Sequence, residues 1–307
     1  MKRSRTIYTP SPISRRKADL ILCSDAHLRE DTPTCWIGDF QQEQWGSLMC
    51  IKALQDIHDC VVLHAGDLFD HWKPSPWLIS MTIEHLPKHF FTIYGQHDLP
   101  QHNWELREKS GIYTLEKAGI LKVLSYGHWG RTPEDDNFDC FAIHLNKVDI
   151  VRRIYTWHHM TYITPPFPGA SEGQATAILR KYPQYDLIVT GDNHQSFATE
   201  YKGRLLVNPG SMTRQTAAQI DFQPRVALWY ADTNTIEWVN LPIAENAITR
   251  EHIEVKERRD ERIDAFISRL DNDWKAGMSF TENLEAFFNK NNTREPIKEI
   301  IYKAIDQ

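Results

Sequence analysis

Five short polar clusters occur in order along the chain, each behind an apolar run: Asp25-Ala26-His27, Gly66-Asp67-Leu68-Phe69-Asp70, Gly95-Gln96-His97-Asp98, His158-His159 and Gly191-Asp192-Asn193-His194. Asp25, Asp67 and Asp192 offer carboxylates, His27, His158 and His194 offer imidazoles, and Gln96 offers an amide oxygen. These donors suffice for two divalent ions. Mixed oxygen and imidazole ligation suits manganese, iron or zinc, with magnesium a further candidate, and no cysteine joins the set to make a soft thiolate site. Two ions about 3.5 to 4 Å apart can share a bridging carboxylate and a bridging hydroxide, and such a hydroxide attacks phosphorus.

Donors this far apart in sequence converge only if each sits at the end of an element. Residues 19–24 read as a buried strand that ends at the first cluster, residues 60–65 as a strand feeding Asp67, and 90–94 as a strand feeding Gln96. Helical spacing fills the gaps, at 41–60 (Trp45, Leu48, Met49, Ile51, Leu54 and Ile57 on one face) and at 76–86. This β-α-β-α-β order predicts an α/β fold with ligands at the carboxyl ends of its strands. Further on, 140–145 and 153–157 read as strands, the latter delivering His158, and a helix at 172–181 precedes a strand at 186–190 that delivers Asp192 and His194. Short strands at 198–201, 205–208, 226–230 and 235–241 follow without helices, which predicts antiparallel pairing in a second sheet packed on the first.

A chain of 307 residues, 41% hydrophobic and 25% charged, can bury a large core or two domains and has the composition of a soluble protein. No apolar stretch approaches the roughly 20 residues of a membrane span. The N-terminus lacks the apolar centre of a secretory signal. The five cysteines (Cys23, Cys35, Cys50, Cys60 and Cys140) show no C-x-x-C spacing, which favours free thiols in a cytoplasmic setting. A net charge of −6 gives no global sign of nucleic-acid binding. Residues 1–18 are the exception, with Lys2, Arg3, Arg5, Arg15, Arg16 and Lys17 and no acid: a solvated tail, or an arm that touches phosphates.

In this order the clusters resemble the pattern of calcineurin-like metallophosphoesterases: D-x-H, G-D, G-N-H-[DE], a strand-end H, then G-H-x-H. The resemblance covers about residues 19–215, and Asn208-Pro209-Gly210-Ser211 resembles the loop after the family's last ligand strand. It implies an α/β sandwich of two β-sheets flanked by helices. Residues 1–18 would then be a basic arm, 19–243 the catalytic domain and 244–307 a small C-terminal appendage, whose Ile263, Phe266, Ile267 and Leu270 make one apolar helical face. By the same resemblance Asp25, His27 and His194 take one metal, Gln96, His158 and Asp192 take the second, and Asp67 bridges them. His97 would protonate the leaving oxygen or stabilise the transition state, with Asp98 orienting it.

Several residues have a plainer reading. His158 and His159 leave a strand on opposite faces, so only one faces the metals, and the family pattern selects His158. His64 and His71 read as structural or surface residues, His144 as a satisfied core histidine, and Asp70 as a helix cap or a substrate contact. Two positions depart from the pattern. Gln96 replaces an asparagine, retaining the amide oxygen one methylene further out. Asp192 replaces a histidine, which adds a negative charge and favours hard cations such as manganese.

Gly66-Asp67-Leu68-Phe69-Asp70 with Pro74-Ser75 also resembles the second motif of SbcD-type DNA repair nucleases and their phage counterparts. That likeness covers mainly the first hundred residues. It implies manganese-dependent exo- or endonuclease action on DNA and an SMC-like ATPase partner, with a homodimer a further possibility. Trp36, Trp72, Trp77, Trp104 and Trp129 lie near the motif loops and could stack on bases or simply pack. The alternatives are a phosphoesterase for nucleotides, other small phosphoesters or phosphoproteins, and a non-catalytic scaffold with this fold.

Overall fold

The computed structural model describes residues 16–124, 141–144, 151–165, 170, 172–251, 253, 258–263 and 279–305. Most of the basic arm, Trp129, Cys140, Phe266, Ile267 and Leu270 lie outside the described residues. Of the arm, Arg16 lies with its guanidinium 4.5 Å over the Tyr230 ring and pairs with Asp232, and Lys17 lies 3.8 Å from Asp59.

The first half follows the predicted alternation: β1 (Leu20–Cys23), α1 (Phe40–His58), β2 (Val61–His64), α2 (Pro76–His85) and β3 (Phe90–Thr92). Local chemistry sets the boundaries. Asp39 accepts a hydrogen bond from the Gln41 amide to start α1, and Asp59, in the left-handed region, ends it. Ser75 caps α2 by accepting from the Leu78 amide, with Pro76 in the first turn, where its missing N–H costs nothing. The Pro74-Ser75 segment is therefore a helix start. A 3₁₀ turn at Trp104–Lys109 and α3 (Gly111–Lys117), capped by Ser110, lead to β4 (Lys122–Val123).

The second half contains β5 (Phe141–His144), β6 (Val151–His158), α4 (Ala175–Lys181), β7 (Leu187–Gly191), β8 (Phe197–Tyr201), β9 (Arg204–Asn208), β10 (Arg225–Tyr230) and β11 (Thr235–Asn240). Two sheets form, ordered β11-β10-β1-β2-β3-β4 and β5-β6-β7-β9-β8. β1 to β4 run parallel, and so do β6, β7 and β9. This corrects the expectation of an antiparallel second sheet holding all the late strands. β8–β9 and β10–β11 do pair antiparallel, but β10 docks on β1 of the first sheet. Its residues from Val226 to Tyr230 are all buried, which suits a central strand with covered faces and not an edge.

Strand alternation builds the layers. Leu20, Leu22 and Leu63 point inward to meet Ile154, Leu187, Val189 and Val207 of the second sheet, together with Ala227 and Trp229. Ile21, Cys23 and Val62 point the other way, onto Trp45, Leu48 and Ile51 of α1 and Leu78 of α2. Tyr155, Ile188 and Leu206 carry α4 on the far face. The protein is thus an α/β sandwich of two sheets flanked by helices. Cys23, Cys35, Cys50 and Cys60 are free thiols. Among the described residues no helix is long and apolar enough to cross a membrane.

The chain divides into two compact units, residues 1–249 and 250–307. Within the second, a capping box between Ser279 and Glu282 starts the helix Phe280–Lys290, whose Leu284, Phe287 and Phe288 pack with Ile301 and Tyr302 of Glu295–Ile305.

Candidate metal centre

The parallel strands β1, β2 and β3 end side by side, so the loops after Cys23, His64 and Thr92 start at one rim. Backbone bonds lock the first two loops together: the Asp25 amide donates to the Gly66 carbonyl and the His27 amide to the Asp67 carbonyl, both at 3.0 Å. β6 and β7 bring His158 and Gly191 to the same rim from the second sheet. The turns are sharp. Asp25 (φ 49°), His27 (44°), Asp67 (56°) and Asp192 (75°) all hold left-handed backbone, which costs an L-residue on the order of 1 kcal/mol.

Space at the rim is provided by missing side chains. A methyl on Gly66 or on Gly191 would stand 2.6 Å from His158 Nδ1, so the His158 ring occupies a slot between two glycines.

In each central donor one atom is tied and another is left bare. Asp67 Oδ1 accepts from the His97 amide at 2.9 Å, and Asp25 Oδ1 accepts from the Asp192 amide at 3.0 Å. His158 Nδ1 lies 2.7 Å from the Ala65 carbonyl. A carbonyl only accepts, so Nδ1 carries a proton and Nε2 faces the site. Asp25 Oδ2, Asp67 Oδ2, Gln96 Oε1 and His158 Nε2 are buried with no hydrogen-bond partner. His158 Nε2 stands 3.2 Å from Asp67 Oδ2, and His27 Nε2 lies 3.2 Å from His194 Nε2, 3.7 Å from Asp67 Oδ2 and 3.9 Å from Asp25 Oδ1. Bare buried donors at such spacing cost several kcal/mol unless a cation meets them.

Without a cation, Asp67 and His158 pair with each other. Burial would raise the Asp67 carboxyl, but His158 outweighs it and holds Asp67 well below the carboxylate range. Burial would lower His158, and Asp67 instead raises it to about 10. Burial drives His27 down to about 3, so it stays neutral beside this pair. Burial also pushes the Asp25 carboxyl up. The donors present fit divalent cations. Three sets of converging donors arise among the described residues: Asp25, His27 and His194; Asp25, Asp67 and His158; and His27, Asp67 and His97.

The remaining site residues sit as follows. Gln96 Nε2 donates to Asp192 Oδ1 at 2.6 Å. His159 turns from the site and stacks on Trp157 with ring centroids 4.0 Å apart, as strand alternation predicts. His97 is exposed and its ring meets that of His27 edge-on at 4.9 Å. The His194 side chain is 41% exposed, so the centre opens to solvent on the His97–His194 side and is closed behind Asp25 and His158.

Asp98 does not steady the His97 ring as expected. Its Oδ1 accepts from the Phe69 amide and its Oδ2 from the Leu68 and Gly95 amides, so it clamps the Asp67 loop to its own. Burial and then the Asp67 charge raise Asp98 to about 7, against those amides. The His97 ring is held by the Asp70 carbonyl, 2.9 Å from Nδ1. The Asp70 carboxylate caps no helix: it sits 3.7 Å from His27 Nδ1 and 3.4 Å from the Arg29 guanidinium.

Sequence reasoning missed several supports. Gln215 Nε2 donates to the His27 carbonyl at 3.0 Å, and nothing in its sequence context marks it. Asn208 Nδ2 donates to the carbonyls of Asn193 and Gln195, and Asn193 Nδ2 to that of Thr161, which ties the last ligand loop to β9 and to the segment after β6. The Asn208-Pro209-Gly210-Ser211 motif was the available signal for that role.

A model of the calcineurin-like phosphoesterase superfamily domain matches residues 19–233. The fold is similar to that of an archaeal phosphodiesterase at 15% identity, with a TM-score of 0.41, covering 72% of this chain and 99% of that one. It is also similar to vacuolar protein sorting 29 from Cryptosporidium parvum, at 15% identity and a TM-score of 0.34, covering 74% of this chain and 100% of that one. No curated protein matches the chain.

Proposed function

Because the chain belongs to the calcineurin-like phosphoesterase superfamily, we propose that it is a two-metal phosphodiesterase that cleaves DNA. The observation that carries the phosphoesterase reading is the convergence of donor atoms from Asp25, Asp67 and His158, beside a Gln96 Oε1 that is likewise buried and bare. In this reading Asp25, His27 and His194 would hold one cation and His158 and Gln96 the other, with Asp67 available to both. Bound there, divalent cations supply Lewis acidity and activate water at neutral pH. The carboxylate and amide donors favour manganese.

The chain's own residues position and protonate. Because His97 Nδ1 donates to the Asp70 carbonyl, Nε2 is the atom free to pass a proton to a leaving oxygen on the open side. Asp98 holds the His97 backbone in place by clamping the Asp67 and Gly95 loops.

The DNA reading is supported by the resemblance of Gly66-Asp67-Leu68-Phe69-Asp70 to SbcD-type nucleases. Leu68 and Phe69 are fully buried, so that likeness reflects how the loop is held and not a surface for bases. The test is a parallel panel. Manganese-reconstituted full-length protein is given linear duplex DNA, single-stranded DNA and a chromogenic phosphodiester. Cleavage of DNA supports the proposal. Turnover of the small ester with no DNA cut overturns the nuclease reading, and two bound metals with no turnover of any substrate favours a scaffold.

A further inference from the structure

Resting on that reading of the metal centre, we propose that Asp192 is a positioning residue that aims the Gln96 amide oxygen into the site, and is not itself a ligand. The two residues are 96 positions apart and meet at 2.6 Å, Gln96 Nε2 to Asp192 Oδ1. A carboxylate only accepts, so the amide atom facing Asp192 is the nitrogen and the other end of the amide is oxygen. That oxygen, Gln96 Oε1, is buried and bare. Asp192 thus fixes which end of a two-ended side chain faces the cations.

Asp192 is fixed in its turn. Its amide donates to Asp25 Oδ1 at 3.0 Å, and its backbone is left-handed at φ 75°. It belongs to none of the three sets of converging donors among the described residues. The two departures from the superfamily pattern are therefore one device: the extra methylene of Gln96 carries its amide to Asp192, and the carboxylate at 192 is the acceptor that holds it.

The experiment is manganese titration of the metal-free full-length protein, read by calorimetry and by the electron paramagnetic resonance of free Mn²⁺, with circular dichroism as the check on folding. Asp192→Asn suits the site because asparagine tolerates left-handed backbone, and its amide no longer dictates the orientation of Gln96. Loss of such a support typically weakens metal binding about 10- to 100-fold. The expected result is a loss of that size at one of two sites in Asp192→Asn, the same loss in Gln96→Ala, and no further loss in the double variant. Gln96→Asn, which leaves Asp192 untouched and shortens the reach, should show the same loss, and it carries the test if Asp192→Asn fails to fold. Multiplied losses in the double variant would make Asp192 an independent ligand and overturn the proposal, as would wild-type affinity in Asp192→Asn. A wild-type protein that binds no manganese would instead remove the metal-centre reading beneath it.

Discussion

Gly95 lies so close to Asp67 that any side-chain carbon at position 95 would overlap Asp67 Oδ1 and stand 2.6 Å from its Cγ. Gly95 has no positive φ, so glycine is needed here for space alone. Gly95→Ala should therefore displace the Asp67 carboxylate. We expect a destabilisation of about 1–3 kcal/mol, typical of overpacking, together with weakened manganese binding. Urea unfolding and manganese titration check both. Wild-type affinity in Gly95→Ala would mean that Asp67 does not need its observed position.

His97 has a separate role. It is exposed, and the Asp70 carbonyl holds its ring by Nδ1. His97→Ala should retain both metals while the turnover number falls about 100- to 10,000-fold, the usual worth of a positioned acid. A proportional loss of bound metal would place His97 among the ligands.

His64 predicts an acid-sensitive fold. It is fully buried at the end of β2, and burial lowers it to about 3. Thr92 Oγ1 donates to the Ile93 carbonyl, so His64 Nδ1, 2.9 Å away, is the donor in that contact, and Nε2 is a buried bare atom. A second proton would have to go to Nε2. The unfolded histidine takes up that proton near pH 6.5, whereas the folded one resists it until about 3. Stability from this group is complete above about pH 6.5 and is lost as pH falls toward about 3, at up to ~1.4 kcal/mol per pH unit. Urea unfolding of metal-free protein between about pH 6 and 4 should give a shallower slope in His64→Gln than in wild type. Parallel slopes would contradict the assignment.

Much of this centre is visible in the sequence because each cluster follows a short apolar strand, and strands of one sheet end at one rim. Leu20–Cys23 before Asp25 and Val61–His64 before Asp67 needed only periodicity to be found. The pairing partner of β10 could not be read, because a fully buried strand looks the same whichever sheet it joins. The short helices around Ser110 escaped notice because caps, and not a long apolar stripe, define them. Sequence adjacency pairs Asp98 with His97, yet its partners are the amides of Leu68, Phe69 and Gly95. Backbone amides leave no trace in side-chain identity. The Gln96–Asp192 contact likewise joins two positions that sequence showed only as separate irregularities.

Asp67 is the residue on which the account turns, since its Oδ2 faces His27 on one side and His158 on the other. The most direct test is the manganese content per chain of reconstituted wild-type protein and of Asp67→Asn, measured by elemental analysis after removal of free metal. A two-cation centre bridged at this position predicts two manganese ions in the wild type and a loss of metal in the variant. Two ions retained in Asp67→Asn, or fewer than two in the wild type, would contradict it.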